Sequence, residues 1–259
     1  MKILKKLGII GLILSLGMGV GGCSNSTDKE TVTLNISAAA SLQEAMIEIE
    51  TKFKEIEPNV KLEVNLGASG SLQQQIEEGA PCDVFISAGE KQMASLEDKD
   101  LLLEDTNKTL LRNDLVLVAP EGIEIKDLQT LTTDIIDKIA MGDPQSVPAG
   151  KYAKEVLDNT KLYKKVEDKL VLAKDVKEVL SWVQQGNAQA GFVYLSDAQG
   201  AKGIKVVYTT KKDTHSPINY PISVLKASKN QDKAKAFEDF LLSADGQVIL
   251  EKYGFKKAY

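Results

Sequence analysis

From residue 31 onward, apolar runs of strand character alternate with segments whose apolar residues recur at helical spacing. Residues 31–37 are rich in β-branched and apolar side chains and read as a strand. Residues 41–55 set Leu42, Ala45, Met46, Ile49 and Phe53 on one helical face, and Pro58-Asn59 ends that pattern. A second strand over 60–66, a small-residue turn from Gly67 to Gly70, and a helix over 72–78 stopped by Gly79 follow. A short buried strand at 84–87 and a helix at 90–98 complete a βαβαβα series. That order predicts right-handed crossovers and a parallel sheet covered by helices on both faces.

A strand at 115–119, closed by Pro120, leaves this first unit. A second series then offers strands at 139–141, 191–194 and 204–207 and helices at 149–157 and 176–185. The run 220–225 reads as a return strand, and helices over 231–242 and 244–253 close the chain against the first unit. The expected fold class is α/β and two-lobed, each lobe a mixed, mainly parallel sheet flanked by helices, joined by a two-segment hinge. Its boundaries are 31–113 with 224–259 for lobe 1, and 114–223 for lobe 2.

The first 22 residues carry a different signal. Lys2, Lys5 and Lys6 precede a nearly unbroken apolar run, and Val20-Gly21-Gly22 places small residues before Cys23. A basic start, a short apolar run and a small-residue exit describe a secretory signal peptide. The cysteine at the exit resembles the bacterial lipoprotein pattern, which makes Cys23 the lipidated first residue of the mature chain. Residues 23–30 are polar and read as a tether. The chain is thus expected outside the cell, anchored by lipid to the outer face of the bacterial membrane.

The mature chain of 237 residues has 29 basic against 37 acidic residues, a net charge of −8. The basic footprint that nucleic-acid binding requires is missing. No second apolar run approaches the length needed to span a bilayer. Cys82, the one thiol beyond Cys23, sits among apolar neighbours and reads as a packing residue rather than a nucleophile.

Four loops share one property, small or hydroxyl side chains where a helix begins. They are Ala38-Ala39-Ala40-Ser41, Gly67-Ala68-Ser69-Gly70-Ser71, Val147-Pro148-Ala149-Gly150 and Asp175-Val176-Lys177. Helix N-termini carry unpaired N–H donors and the positive end of the helix dipole, which suits an anion. Parallel strands deliver such loops to one edge of a sheet, where a crevice forms. Taken singly, each loop has a structural reading as well: 41–44 and 175–178 both fit capping boxes. Lys151 and Lys177, beside two of these starts, read as solvated surface lysines.

Several segments closely resemble the molybdate-binding proteins of bacterial ABC importers. They are Ala38-Ala39-Ala40-Ser41-Leu42, the run from Gly79 to Ala88, the run from Gly142 to Ala153, Gly191 to Ala198, and Tyr253-Gly254-Phe255. The resemblance spans essentially the whole mature chain, and the segment beginning Gly142-Asp143-Pro144 is its most specific part. It implies a two-lobed periplasmic-binding-protein fold closing on molybdate or tungstate, with no cofactor and no direct protein–metal bond. By position, the family's hydroxyl ligands fall on Ser41, Ser69 and Tyr194, and its backbone ligands on Ala149 and Val176. The second loop has fewer hydroxyls than many relatives, and Ser69 is preferred over Ser71 there. Implied partners are the oxyanion, a permease with its ATPase, and the membrane through Cys23, with the protein itself a monomer.

Two other functions compete. A sulfate or other tetrahedral oxyanion binder would show the same donor pattern. An enzyme on the same scaffold would need acid–base or nucleophilic groups, yet the lone histidine, His215, lies far in sequence from every cleft loop. An arginine for an amino-acid carboxylate is also missing from the loops, because the sole arginine, Arg112, stands at the lobe boundary.

Overall fold

The computed structural model describes residues 31–258. The signal segment, Cys23 and the tether lie outside the described residues.

Strand β1 (Val32–Ala39) pairs in parallel with β2 (Val60–Gly67) and β3 (Val84–Ile86). Between them run α1 (Gln43–Ile56), α2 (Ser69–Glu77) and, after β3, α3 (Glu90–Asp98). The predicted face of α1 is the buried one, with Ala45, Met46, Ile49 and Phe53 turned inward. Side chains of β3 alternate across the sheet as a pleat requires. Val84 and Ile86 join the main core, while Phe85 enters a smaller cluster with Leu72, Ile76, Met93 and Leu96. The first sheet is therefore covered on both faces.

This sheet is completed by β4 (Lys108–Arg112), β10 (Asn219–Val224) and β11 (Lys256–Lys257), in the order β11-β4-β10-β3-β1-β2. The second sheet has the order β7-β6-β8-β5-β9. Its strands are β5 (Leu115–Pro120), β6 (Ile139–Gly142), β7 (Leu170–Ala173), β8 (Ala190–Tyr194) and β9 (Ile204–Thr209). Helices α4 (Pro148–Asn159) and α6 (Val176–Gln184) follow β6 and β7, with single turns α5 (Tyr163–Val166) and α7 (Leu195–Ala198). Helices α8 (Gln231–Leu242) and α9 (Ala244–Lys252) return to the first lobe, where Phe237 meets Phe53 edge-on at 5.1 Å. In each sheet four strands run one way and the minority opposes them, which gives the mixed α/β class expected, although five of the nine strand pairings are antiparallel because the opposing strands β10 and β5 each lie between two others.

One boundary moves. The sequence reading gave residues 219–223 to lobe 2, but β10 lies inside the first sheet, antiparallel to both β3 and β4. The return crossing is thus residues 210–218, and Asn113-Asp114 forms the outward one. An apolar run of this kind fits either sheet, and Pro221 lacks the N–H that a ladder bond needs. The chain accommodates Pro221 by shifting register against β4 between Tyr220 and Pro221.

Gly150 shows how tightly the second lobe is built around its loop. A Cβ on Gly150 would stand 1.9 Å from the Gly142 carbonyl oxygen, so α4 can approach β6 only with hydrogen there. Gly150→Ala is expected to destabilise the protein by roughly 1–3 kcal/mol through overpacking. Urea denaturation checks it, and an unchanged midpoint would show that the helix shifts at no cost.

Candidate functional site

The strand–helix loops of both lobes meet in one cleft. Its lining includes Ala39, Ala40 and Ser41 after β1, Gly67, Ala68 and Ser69 after β2, and Ala88 after β3. The second lobe contributes Val147, Pro148 and Ala149 after β6, Asp175 and Val176 after β7, and Tyr194 at the end of β8. The void, mouth included, measures about 220 Å³. Ser41, Ser69, Ala149, Val176 and Tyr194, spread over more than 150 positions, are all brought together here, and all are buried. In the second loop it is Ser69, not Ser71, that lines the cleft.

The helix starts are uncapped where it matters. A 3-10 turn (Ala40–Leu42) precedes α1, and neither it nor α1, α2 or α4 has a side-chain cap. Pro148 occupies the first turn of α4, where its missing N–H costs nothing. The capping-box reading of Ser41 is therefore overturned, because the hydroxyl turns elsewhere. At α6 the Asp175 cap forms without the reciprocal bond of a box: Asp175 Oδ1 accepts from Glu178 N–H at 2.9 Å, while Glu178 Oε2 accepts from Lys174 N–H at 2.8 Å, which leaves the earlier amides of Val176 and Lys177 uncapped. The Asp175 carboxylate stands in the lining, but this bond ties it to its own helix.

The hydroxyls are oriented by buried partners. Ser69 Oγ accepts from Ala88 N–H at 2.9 Å, so its own hydrogen is left to point into the cleft. Ser41 Oγ and the Tyr220 hydroxyl are 2.9 Å apart, and Asn113 Nδ2 donates to the same Tyr220 oxygen at 3.3 Å. Tyr194 Oη makes a long bond of 3.4 Å to the Ala88 carbonyl across the cleft, and its ring packs edge-on to Tyr220 at 5.6 Å. Burial pushes both phenols well above their ordinary pKa, so each remains a neutral donor.

Other bonds tie the lobes together. Gly70 N–H donates to the Ser146 carbonyl at 2.9 Å, and a Cβ on Gly70 would stand 2.5 Å from that oxygen. Lys177 departs from its sequence reading. It is largely buried and runs from α6 to Asp197 (2.9 Å) and to Glu44 of α1 (2.5 Å). Burial works against its charge, but the two carboxylates outweigh this and hold its pKa above the usual lysine value. Burial raises the pKa of Asp197, with Lys177 opposing the shift. Lys151, half-exposed and 3.5 Å from Glu155, is solvated as expected.

Tyr220, Asn113 and Ala88 were missed by the sequence reading. Ala88 carried a usable signal, since it follows the third parallel strand on the same sheet edge as the first two loops. Tyr220 and Asn113 carried none, because they reach the cleft through long-range strand pairing. Cys82 is half-buried, donates to the Val84 carbonyl at 3.3 Å, and burial pushes its thiol up to about 11.

Two α/β lobes, two crossings and a closed cleft of uncapped helix starts define a solute-binding protein. The family model for bacterial extracellular solute-binding proteins matches residues 34–256, and the chain belongs to that family. It is 42% identical over 255 residues to the Bacillus subtilis lipoprotein YvgL, named as an ABC transporter substrate-binding protein, covering 97% of this chain and 98% of that one. The molybdate-binding protein ModA of Escherichia coli is 40% identical over 228 residues, 86% of this chain and 88% of ModA. A solved substrate-binding domain from Clostridium difficile, described as belonging to a molybdenum ABC transporter, is 61% identical. It superposes with a TM-score of 0.70, covering 88% of this chain and all of that one.

Burial of the phenols has a consequence at high pH. Tyr152, Tyr194 and Tyr220 all have pKa values raised chiefly by burial. Unfolded tyrosines ionise near pH 10, so stability from these groups is complete below about that value and is lost as pH rises above it. Absorbance at 295 nm should show these three of the seven tyrosines ionising only as the chain unfolds. All seven titrating together in a folded protein would contradict the burial.

Proposed function

We propose that this chain captures molybdate or tungstate between its two lobes, outside the cytoplasm, and delivers it to an ABC transporter permease with its ATPase. The observation carrying this reading is the cleft itself: helix-start amides and hydroxyls from both lobes surround one small void. In this reading Ser41, Ser69 and Tyr194 donate hydroxyl hydrogens, and Ala149 and Val176 donate backbone N–H. A fully ionised tetrahedral oxyanion has only acceptors, so donors alone should surround it. The relatives' names, molybdate-binding and molybdenum ABC transporter, support the choice of anion.

The energetics suffice. Each hydrogen bond to a charged group contributes about 1.5–3 kcal/mol, so several give a gross gain on the order of 10–15 kcal/mol. Association offsets roughly 4 kcal/mol or more of this. What remains supports submicromolar binding with no cation in the cleft.

A transport role without catalysis is supported by the titratable groups. The ring of His215 is held by Thr210 (2.9 Å) and the Ser216 carbonyl (2.8 Å) in the return crossing, outside the cleft lining. The raised pKa of Cys82 keeps it a thiol. Lipid on Cys23, supported by the lipoprotein name of YvgL, would hold the protein as a monomer on the outer face of the membrane.

Isothermal titration should give one site per chain for molybdate and for tungstate, with sulfate and phosphate far weaker. Sulfate binding as tightly as molybdate would move the assignment to a sulfate-class receptor. The double change Ser41→Ala with Tyr194→Phe should weaken molybdate by several kcal/mol at most, at about 1.5–3 kcal/mol per charge-assisted bond, and leave folding intact. Metabolic labelling with a fatty-acid analogue in a bacterial host should mark the protein and be lost in Cys23→Ser. Equal labelling of both would remove the anchor.

A further inference from the structure

Resting on that reading of the cleft, we propose that Asn113 and Tyr220 are positioning residues. They turn the hydrogen of Ser41 toward the cleft, and thereby make the site favour fully ionised oxyanions over protonated ones. Asn113 Oδ1 accepts from Asp114 N–H at 2.9 Å, which sets the orientation of the amide. Its Nδ2 then faces Ser196 Oγ at 2.8 Å and Tyr220 Oη at 3.3 Å, and an amide nitrogen only donates. Tyr220 Oη has two hydrogen-bond partners, Asn113 Nδ2, which only donates, and Ser41 Oγ at 2.9 Å, so the hydrogen of this wholly buried phenol goes to Ser41. Ser41 therefore accepts from Tyr220, and its hydrogen is the one left for the cleft.

The chain has no slack. Asn113, Tyr220 and Ser41 are 6%, 0% and 3% exposed, so water does not compete for these bonds. Edge-on contacts with Tyr194 (5.6 Å) and Phe255 (5.7 Å) hold the Tyr220 ring. Ser69 is polarised in the same sense by the Ala88 amide. A hydroxyl is normally ambivalent and could turn to accept a proton from hydrogen phosphate. Here each serine already has one acceptor site filled and its hydrogen facing the cleft, so the anion that fits best offers an acceptor to both. Asn113 lies on the outward crossing and Tyr220 just beyond the return crossing, so both hinge strands set the selectivity.

The test is titration of the mature chain and two variants with molybdate, sulfate and inorganic phosphate at pH 7. Asn113→Asp replaces the donor with an acceptor and reverses the relay: Tyr220 turns toward residue 113, Ser41 donates to Tyr220, and the cleft loses a donor. Molybdate and sulfate, both fully ionised, should weaken by about tenfold or more, the loss of one charge-assisted bond. Phosphate should hold steady or improve. Tyr220→Phe frees the Ser41 hydroxyl and should narrow the molybdate-to-phosphate ratio by about fivefold or more. It keeps the ring, and decides the matter if the buried charge of Asn113→Asp prevents folding. Equal weakening of all three anions would mean a structural role only and would overturn the relay, as would unchanged ratios. Absence of any binding by the unaltered chain would sink the reading of the cleft, and the relay with it.

Discussion

A helix cannot satisfy its own first amides, and this chain begins several helices at one cleft without giving most of them a cap. The amides ahead of α1, α2 and α4 have no side-chain acceptor, and the Asp175 cap on α6 covers only the amide of Glu178. Donors of this kind are costly when buried unpaired, so those that no carbonyl reaches, unlike Gly70 with its bond to Ser146, call for water or an anion as acceptor. The rest of the cleft follows from that debt. Apart from Pro148, Asp175 and Tyr194 its lining residues are alanine, glycine, valine and serine, because larger ones would fill the space, and Gly70 and Gly150 are glycine because backbones meet there. Carboxylates that would satisfy the donors from within are kept at the margin, as with Asp175, or behind the wall, as with Asp197.

Much of the frame was legible in the residues, and the exceptions have physical causes. Strands β3, β5 and β8 are nearly continuous apolar runs, as buried central strands must be, and β1 alternates Val32, Leu34 and Ile36 with Thr33, Asn35 and Ser37. Strand β4, Lys-Thr-Leu-Leu-Arg, is flanked by charge and buries only Leu110 and Leu111. Strand β7 is an edge with Leu172 half-exposed, hidden between lysine-rich segments. Neither has enough pattern to be seen without a partner. Helix starts were legible because small residues, proline and Asx caps mark them locally. Ser41 shows the limit of local signals: its spacing to Glu44 fits a box, yet a 3-10 turn rotates the hydroxyl to Tyr220, 179 residues away.

The same distinction explains why no lysine enters the cleft although one stands beside it. Lys177 is the second residue of α6, and a free ammonium there would pair with any anion regardless of its protonation. Asp197 and Glu44 draw it off, and the cation then serves to neutralise a buried carboxylate and to connect α6 with α1. Removing one partner of such a pair is far more damaging than the pair is worth, since it strands the other charge. Selectivity is thus left to neutral groups, whose orientation, unlike a point charge, can be fixed one hydrogen at a time.

Closure can be weighed from these contacts. The direct bonds between lobes are few. Among the described residues they include the neutral amide bond from Gly70 to Ser146, the long 3.4 Å bond from Tyr194 to the Ala88 carbonyl, the bond from Gln199 Nε2 to the Lys252 carbonyl at 3.2 Å, and the pair between Lys177 and a half-exposed Glu44. A neutral bond contributes about 0.5–1.5 kcal/mol net, and an exposed pair about 0–1 kcal/mol. Their sum is on the order of 2–5 kcal/mol, set against the freedom lost when two crossings stop flexing. Open and closed forms of the empty protein are then close in energy. An anion accepting several charge-assisted bonds, which exist only when both lobes supply them, changes that balance by more than all the direct contacts together. The bond from Tyr194 to Ala88 is the natural one to be exchanged: it is the longest of the set, and its hydroxyl lies in the cleft lining. Weak direct contacts are therefore a functional requirement, because lobes that closed firmly on nothing would not report their guest.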